Sequence, residues 1–457
     1  MTIRLLAAYG EYPINAIVTL GAGTEAGLVA AKLASTDTTG GTPYVPPVPQ
    51  RQRWPVMSET NPVTGGIEFA SGDVEPRSIG ARVVSGGVAV STTQLGKTGL
   101  LCGRLAARAK AIQLIFFNLC ATPTTGVAWA ISMLPDDADL TNPAVVNNNS
   151  GSYVSGTLNL PARVSSSEYS IAFSDWVAPP IPSAIFSARA HVPVAGNTEC
   201  TLNELYSATA PGRGSSWAAM QGDEWIMRTA ATGDFVTNIA GFSGTSIADW
   251  TFIAGVRYLS ADGAVVTVMG VGDSIMSGTL GDVSRDSYWV KAVRALKLEG
   301  KRIEAINLGW ATQNTAQYQP RAINAINAFR PSICLYPPYS PNDGTPDAAS
   351  ISAQLSRESQ VRQACWGLGV AYAPVTAAPR GGSTYTAAQD AKRKALNDDI
   401  RSRRMSIDID VALSSTQEYG AAAEFATGMG AADNVHPSEA GNVAASARTR
   451  LLLDRLF

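Results

Sequence analysis

Only two histidines, His191 and His436, occur in the 457 residues of this chain. Cysteine is nearly as scarce: Cys102, Cys120, Cys200, Cys334 and Cys365, none in a Cys-x-x-Cys pair. So thin a supply of soft ligands argues against a zinc site or any other metal centre. The odd count and wide spacing read as buried thiols, with one disulfide left open. Charge is sparse too, at 16% of residues and a net −2, with no basic patch. That excludes nucleic acid as the expected partner. No apolar run is long enough to span a membrane. The apolar patch within Met1–Gly10 is too short for the hydrophobic region of a secretory signal, so export by an obvious signal is not expected. No fixed repeat is visible, and no motif calls for a cofactor.

What is present is turn chemistry and a sizeable apolar fraction: 42 Gly, 26 Pro and 45% hydrophobic residues. This is a globular composition, long enough for two or three domains. Residues 1–50 read as a small N-terminal segment and linker, with a strand at Ala16–Leu20, a short helix at Thr24–Leu33 and a Pro-rich stretch through Val45–Pro49. Residues 51–262 alternate short strand-forming runs with Gly, Ser, Asn and Pro clusters, as at Gln113–Leu119, Val127–Met133, Tyr169–Phe173, Ile185–Val194 and Trp250–Leu259. Asn147–Gly151 reads as a loop. An antiparallel β-sandwich or jelly-roll domain is the expectation. Phe186, Ala188, Ala190 and Val192 form its core-facing set, and Ile185, Ser187, Arg189 and His191 the other.

From residue 263 to 457 strands and helices alternate. Strands are expected at Val265–Val271, Ile303–Leu308, Ile333–Tyr336 and Val370–Val375, and through Ile407, Ile409, Val411 and Leu413. Helices are expected around Trp289, Val293 and Leu296, from Pro320 through Phe329, over 346–366 and 385–404, and at the C-terminus with Val443, Ala447 and Leu451 on one face. This alternation predicts an α/β fold, a parallel sheet with helices on both faces.

Gly272-Asp273-Ser274-Ile275 ends the first of these strands and opens a helix. A serine there is exposed among free backbone N–H groups. Its hydroxyl needs a base, an orienter for the base, and donors for an oxyanion. His436 stands in Asp433-Asn434-Val435-His436-Pro437, before the last helix and at the same carboxyl edge of the sheet. Asp433 is near enough to hold its Nδ1 proton. Gly309, at the exit of the second strand, and Asn342, after the third, are candidate oxyanion donors. Trp310 and Tyr339 adjoin them and are candidate pocket walls. Asp273 and Asp343 read as turn stabilisers, while Asp282, Arg285 and Asp286 cap and solvate a helix. His191 reads as an ordinary strand residue. Taken singly, Ser274, Gly309 and Asn342 are each also good turn residues.

The order Gly-Asp-Ser, strand-exit glycine, Asn-Asp, Asp-x-x-His resembles the SGNH (GDSL-type) hydrolase family over about residues 264–457. That resemblance implies a flavodoxin-like three-layer fold. It also implies a serine esterase with Ser274 as nucleophile, His436 as base and Asp433 as orienter. The oxyanion hole would be Ser274 N–H, Gly309 N–H and the Asn342 side chain. One departure is Ser340, where the third block usually has glycine, which bears on loop geometry. Tyr12–Leu20 and Thr24–Leu28 resemble the opening of small bacteriophage structural proteins. Together these suggest a phage tail or virion-associated enzyme removing O-acetyl groups from an acylated polysaccharide. It would be virion-borne or extracellular, with cytoplasmic placement as the alternative, a homo-oligomer such as a trimer, and in contact with other virion proteins. Alternatives are a lipase or thioesterase of the same fold, disfavoured by the lack of an amphipathic lid, and a non-enzymatic structural or adhesion protein.

Overall fold

The computed structural model describes residues 2–5, 16–19, 34–35, 42–43, 79–83, 88–138, 153–179, 181–204, 225–236, 250–278, 287–344, 346, 348–382, 385–403, 405–418 and 423–457. Two compact units divide the chain between Trp54 and Pro55. The first holds β1 (Thr2–Leu5), β2 (Ala16–Thr19), β3 (Ala34–Ser35) and β4 (Thr42–Pro43), in one sheet of order β3-β1-β2-β4. β2 is the strand expected at 16–20. The helix expected at 24–33, the stretch 45–49 and the loop at 147–151 lie outside the described residues.

The second unit begins with β5 (Ile79–Val83), β6 (Val88–Ser91), β7 (Lys97–Asn118), β8 (Thr124–Leu134), β9 (Val154–Leu160) and β10 (Ser170–Phe173). It continues with β11 (Ser183–His191), β12 (Cys200–Glu204), β13 (Trp225–Thr232), β14 (Trp250–Thr251) and β15 (Gly255–Ser260). Then come β16 (Val266–Gly272), β17 (Ile303–Gly309), β18 (Ile333–Tyr336) and β19 (Ala371–Pro374). The helices among the described residues are α1 (Ser274–Ser277), α2 (Tyr288–Leu298), α3 (Thr315–Phe329), α4 (Ala348–Gly367), α5 (Ala387–Arg401), α6 (Asp410–Leu413) and α7 (Glu439–Leu453).

The β-rich stretch does not close on itself as the expected sandwich. Most of its strands enter the same sheet as the parallel strands, in the order β19-β18-β16-β17-β5-β15-β7-β11-β8-β9. The join is the parallel bridge of Ile306 on β17 to Val83 on β5, and β15 then continues antiparallel. A separate three-stranded sheet, β14-β12-β6, contributes Leu202 and Cys200 to the same apolar core as β7, β8 and β11. The physical reason lies at the seam. Glu304 on β17, only 1% exposed, accepts the Ala106 N–H at 2.6 Å and the Tyr258 hydroxyl at 3.1 Å, and faces Lys297 at 3.4 Å. A carboxylate so buried is tolerable only when paired and hydrogen-bonded, so these contacts hold the two parts as one body. On β11 the expected core set is buried, but so are Ile185, Ser187, Arg189 and His191. Burial presses the Arg189 guanidinium down to about 10.

β17, β16, β18 and β19 are parallel, and Ile407 adds a single parallel bridge to Val375 beyond β19. Numbered along the chain, this is the order 2-1-3-4-5 of flavodoxin-like sheets. α2 packs against α7, and α3 against α4. Trp289, Val293 and Leu296 are all buried, as their spacing predicts. Two local expectations fail. Helix α3 starts at Thr315, not Pro320, because Asn314 and Gln317 form a reciprocal capping box; Pro320 lies inside the helix. The alternating run 407–413 is not a strand. Asp410 is buried between Arg393 and Arg401, and α6 forms around it with Val411 turned outward. On α7, Val443, Ala447 and Leu451 face solvent, while Gly441, Ala445, Leu452 and Leu453 are buried. A Cβ at Gly441 would lie 2.2 Å from the Met429 carbonyl oxygen, so close packing selects the small face.

Candidate active site

Loops leaving β16 and β18 part at the point where the strand order reverses, the usual ligand crevice of such sheets. Ser274 is the first residue of α1, directly after Asp273, and 6% exposed. Asp273 caps α1: its Oδ1 accepts the N–H groups of Ile275 at 2.9 Å and Met276 at 3.5 Å. Its Oδ2 accepts the Ser340 hydroxyl at 2.5 Å. Burial pushes the Asp273 carboxyl above its usual range, against the opposing pull of Ser340 and the two N–H groups. The Ser340 hydroxyl also accepts the Asn342 N–H at 3.2 Å. The departure from glycine at this position therefore ties the loop 340–343 to the turn at Ser274.

His436 reaches the same place from the turn before α7. Its Nε2 lies 2.7 Å from Ser274 Oγ and its Nδ1 2.5 Å from Asp433 Oδ2. An ionised carboxylate only accepts, so Nδ1 carries the proton and Nε2 is left to accept from the serine. Asp433 Oδ1 accepts the N–H groups of Val435 and His436, each at 3.0 Å. Partial burial works to raise the Asp433 carboxyl, but the Val435 N–H and the His436 ring and N–H outweigh it, and its pKa falls below the usual value. Asn434, between them, has φ 59°. The structure thus brings Ser274, His436 and Asp433 into one hydrogen-bonded chain. His191 lies elsewhere, with Nδ1 3.1 Å from the Lys97 carbonyl oxygen.

Of the candidate oxyanion donors, Asn342 is exposed beside the site and donates from Nδ2 to the Gln313 carbonyl at 3.0 Å, which leaves its second amide hydrogen. Gly309 does not fit the role expected of it. Its N–H donates to Asn307 Oδ1 at 3.0 Å, because the Asn307 side chain folds back along the strand exit. The glycine is needed for another reason: a Cβ there would meet Ser277 N at 2.2 Å and Met276 C at 2.6 Å. It lets α1 pack on β17. Sequence reading missed Thr312 in the same loop. It is exposed, with φ 66°, and among the described residues its N–H meets no acceptor. A β-branched residue in the left-handed region costs of order 1–3 kcal/mol, a strain that gathers at functional loops. Only the folded loop displays that signal.

Tyr339 lines a cleft beside the turn, with Asp273, Ile275, Met276 and Pro341, a lining that includes neither Ser274 nor His436. The Tyr339 hydroxyl donates to the Gly344 carbonyl at 2.7 Å, and burial pushes its pKa up. Trp310 is not part of that cleft. Its ring lies 5.2 Å from the guanidinium of buried Arg321 and 6.1 Å from Tyr169 of the β-rich part. Arg321 donates to the Gly272 carbonyl at 3.1 Å, and burial lowers its pKa. Trp310 therefore packs the underside of the site. Asp343 holds its turn as expected, accepting the Ser340 N–H at 2.9 Å and the Thr315 hydroxyl at 2.8 Å. Asp282, Arg285 and Asp286 lie outside the described residues. All five cysteines are buried thiols. No group of three metal-ligating side chains occurs among the described residues.

No protein-family model matches the chain, and no curated protein does. Solved structures do. The lipase/acylhydrolase from Enterococcus faecalis is 17% identical over 42% of this chain and 97% of its own, with a TM-score of 0.33. A GDSL-like lipase from Bacteroides thetaiotaomicron is 14% identical over 42% of this chain and 89% of its own, TM-score 0.32. The family 3 carbohydrate esterase from Clostridium thermocellum is 16% identical over 42% of this chain and 96% of its own, TM-score 0.32. The solved structures to which this chain is similar thus include GDSL-type lipases, acylhydrolases and carbohydrate esterases.

Proposed function

We propose that this protein is a serine ester hydrolase that removes short acyl groups, O-acetyl foremost, from a polysaccharide. One observation carries the reading: the hydrogen-bonded chain Ser274 Oγ, His436 Nε2, His436 Nδ1, Asp433 Oδ2. Ser274 Oγ attacks the acyl carbonyl as His436 Nε2 takes its proton. Asp433 stays ionised and stabilises the imidazolium. The oxyanion is met by the Ser274 N–H and the free amide hydrogen of Asn342. His436 returns the proton to the departing sugar oxygen, and water then releases the acyl group by the same steps in reverse. Asn342, Thr312 and Asp433 lie at the surface, which leaves room for a polymer as the alcohol. Placement on a phage tail or virion, with oligomeric and virion partners, extends this reading from the resemblance at Tyr12–Leu20 and Thr24–Leu28 alone.

Ser274→Ala tests the core of this reading. It is expected to abolish hydrolysis of 4-nitrophenyl acetate and release of acetate from acetylated polysaccharide, with an unchanged melting transition. A folded variant that keeps full activity refutes it.

A further inference from the structure

Arg380 stands between the two loops that build the site. It follows β19 in Pro379-Arg380-Gly381-Gly382 and lines the cleft with Asp273, Met276, Tyr339 and Pro341. On one side its Nη1 reaches the Pro341 carbonyl, in the loop of Asn342, at 3.5 Å. On the other, the Gly381 N–H donates to the Asn434 carbonyl at 2.9 Å, in the turn that carries Asp433 and His436. A Cβ at Gly381 would lie 2.8 Å from Asn434 Oδ1, so the backbone is pressed against that turn. The guanidinium is propped by the Tyr385 ring at 5.9 Å. The Tyr385 hydroxyl is in turn fixed to that of Tyr339 at 2.7 Å. The cation is thus held at the cleft behind the turn that carries Ser274, lined there by Asp273, Ile275 and Met276.

What it lacks is an anion. Its Nε is buried with no hydrogen-bond partner, and it pairs with no Asp or Glu among the described residues. The contrast with nearby arginines is sharp. Arg393 holds Asp390 and Asp410; Arg401 holds Asp398, Asp408 and Asp410; Arg403 holds Glu358 and Asp399. A planar fork of donors with a single long bond to a carbonyl matches a carboxylate that arrives with the substrate.

Resting on the esterase reading above, we infer that Arg380 binds a carboxylate of the substrate. The polysaccharide is then an acidic one, with a uronate-type sugar at or next to the acylated residue. The chain as a whole is slightly negative, so this attraction is local to the cleft and not a property of the overall charge.

The test pairs O-acetylated oligogalacturonate bearing free carboxylates with the same oligosaccharide methyl-esterified, reading released acetate. The full-length protein is compared with Arg380→Gln and Arg380→Lys, and melting curves check the fold. Wild type should favour the carboxylated substrate in kcat/KM. Arg380→Gln should lower that preference about tenfold or more, the worth of a charge-assisted hydrogen bond. Arg380→Lys should restore part of it, and carries the test should Arg380→Gln fail to fold. Equal loss on both substrates, or an unchanged ratio, overturns the inference and leaves Arg380 as a prop for its loop. So does failure to release acetate from either glycan by a protein that hydrolyses 4-nitrophenyl acetate through Ser274. Failure on 4-nitrophenyl acetate overturns the esterase reading itself.

Discussion

Replacing Asp433 by Asn changes one atom and should disable the base. In the native turn one carboxylate oxygen accepts two backbone N–H groups at 3.0 Å each and the other accepts the imidazole proton at 2.5 Å. Asn has a single acceptor. If its carbonyl keeps the backbone N–H groups, its NH2 faces Nδ1, which must then be unprotonated. The ring proton moves to Nε2, and the atom 2.7 Å from Ser274 Oγ becomes a donor where an acceptor is needed. The flipped rotamer leaves two N–H groups facing an NH2, at a cost of about 1–3 kcal/mol for each unmet group. The wrong tautomer is therefore the stable one. The expected fall in kcat is about a thousand- to ten-thousand-fold, or roughly 4–5.5 kcal/mol of barrier. KM should change little, and stability little, because the Asp433 side chain is 37% exposed. Steady-state hydrolysis of 4-nitrophenyl acetate measures both constants. A variant within about tenfold of wild-type kcat would refute the claim that Asp433 sets the tautomer.

Asn342→Ala should lower kcat about a hundred- to thousand-fold with little change in KM, as for an oxyanion donor; an effect confined to KM would remove it from that role. Gly309→Ala should destabilise by about 1–3 kcal/mol or more, since its Cβ meets backbone of α1 and not a flexible side chain. Urea denaturation reads that loss, and activity should fall with it; a stable, active variant would refute the close packing. Asp273 has a folded pKa above its unfolded value, so it favours folding in acid and ceases to as pH rises through the folded pKa. The melting temperature of Asp273→Asn relative to wild type should therefore be higher near about pH 8 than near about pH 4, and an equal difference at both would count against a buried, raised carboxyl.

Periodicity and punctuation carried much of the α/β half. Trp289, Val293 and Leu296 mark α2 because helical spacing puts them on one buried face. Helix α3 begins ahead of Pro320 because Asn314 and Gln317 cap it reciprocally. Patterning failed where long-range polar contacts override it. Asp410, paired with Arg393 and Arg401, turns an alternating run into α6. The small residues of α7 face inward, where Gly441 lies against the Met429 carbonyl. The supposed sandwich dissolved for a related reason. Strand patterns say that a strand will pair, but not with which strand, and β5 finds β17 more than two hundred residues away.

The candidate site divides the same way. Scarcity did the sequence's share: with two histidines to choose from, one of them in Asp433-x-x-His436, the partners of Ser274 could be named from the chain alone. The local turn fixes that pair, because a carboxylate three residues before a histidine can bond both its backbone and its ring. The Gly309 N–H is taken by the Asn307 side chain, which is itself held by the Ser277 carbonyl, and that is settled by tertiary contact. The same holds for Arg380. Its charge is visible in the sequence, but its lack of an Asp or Glu partner among the described residues belongs to the folded arrangement.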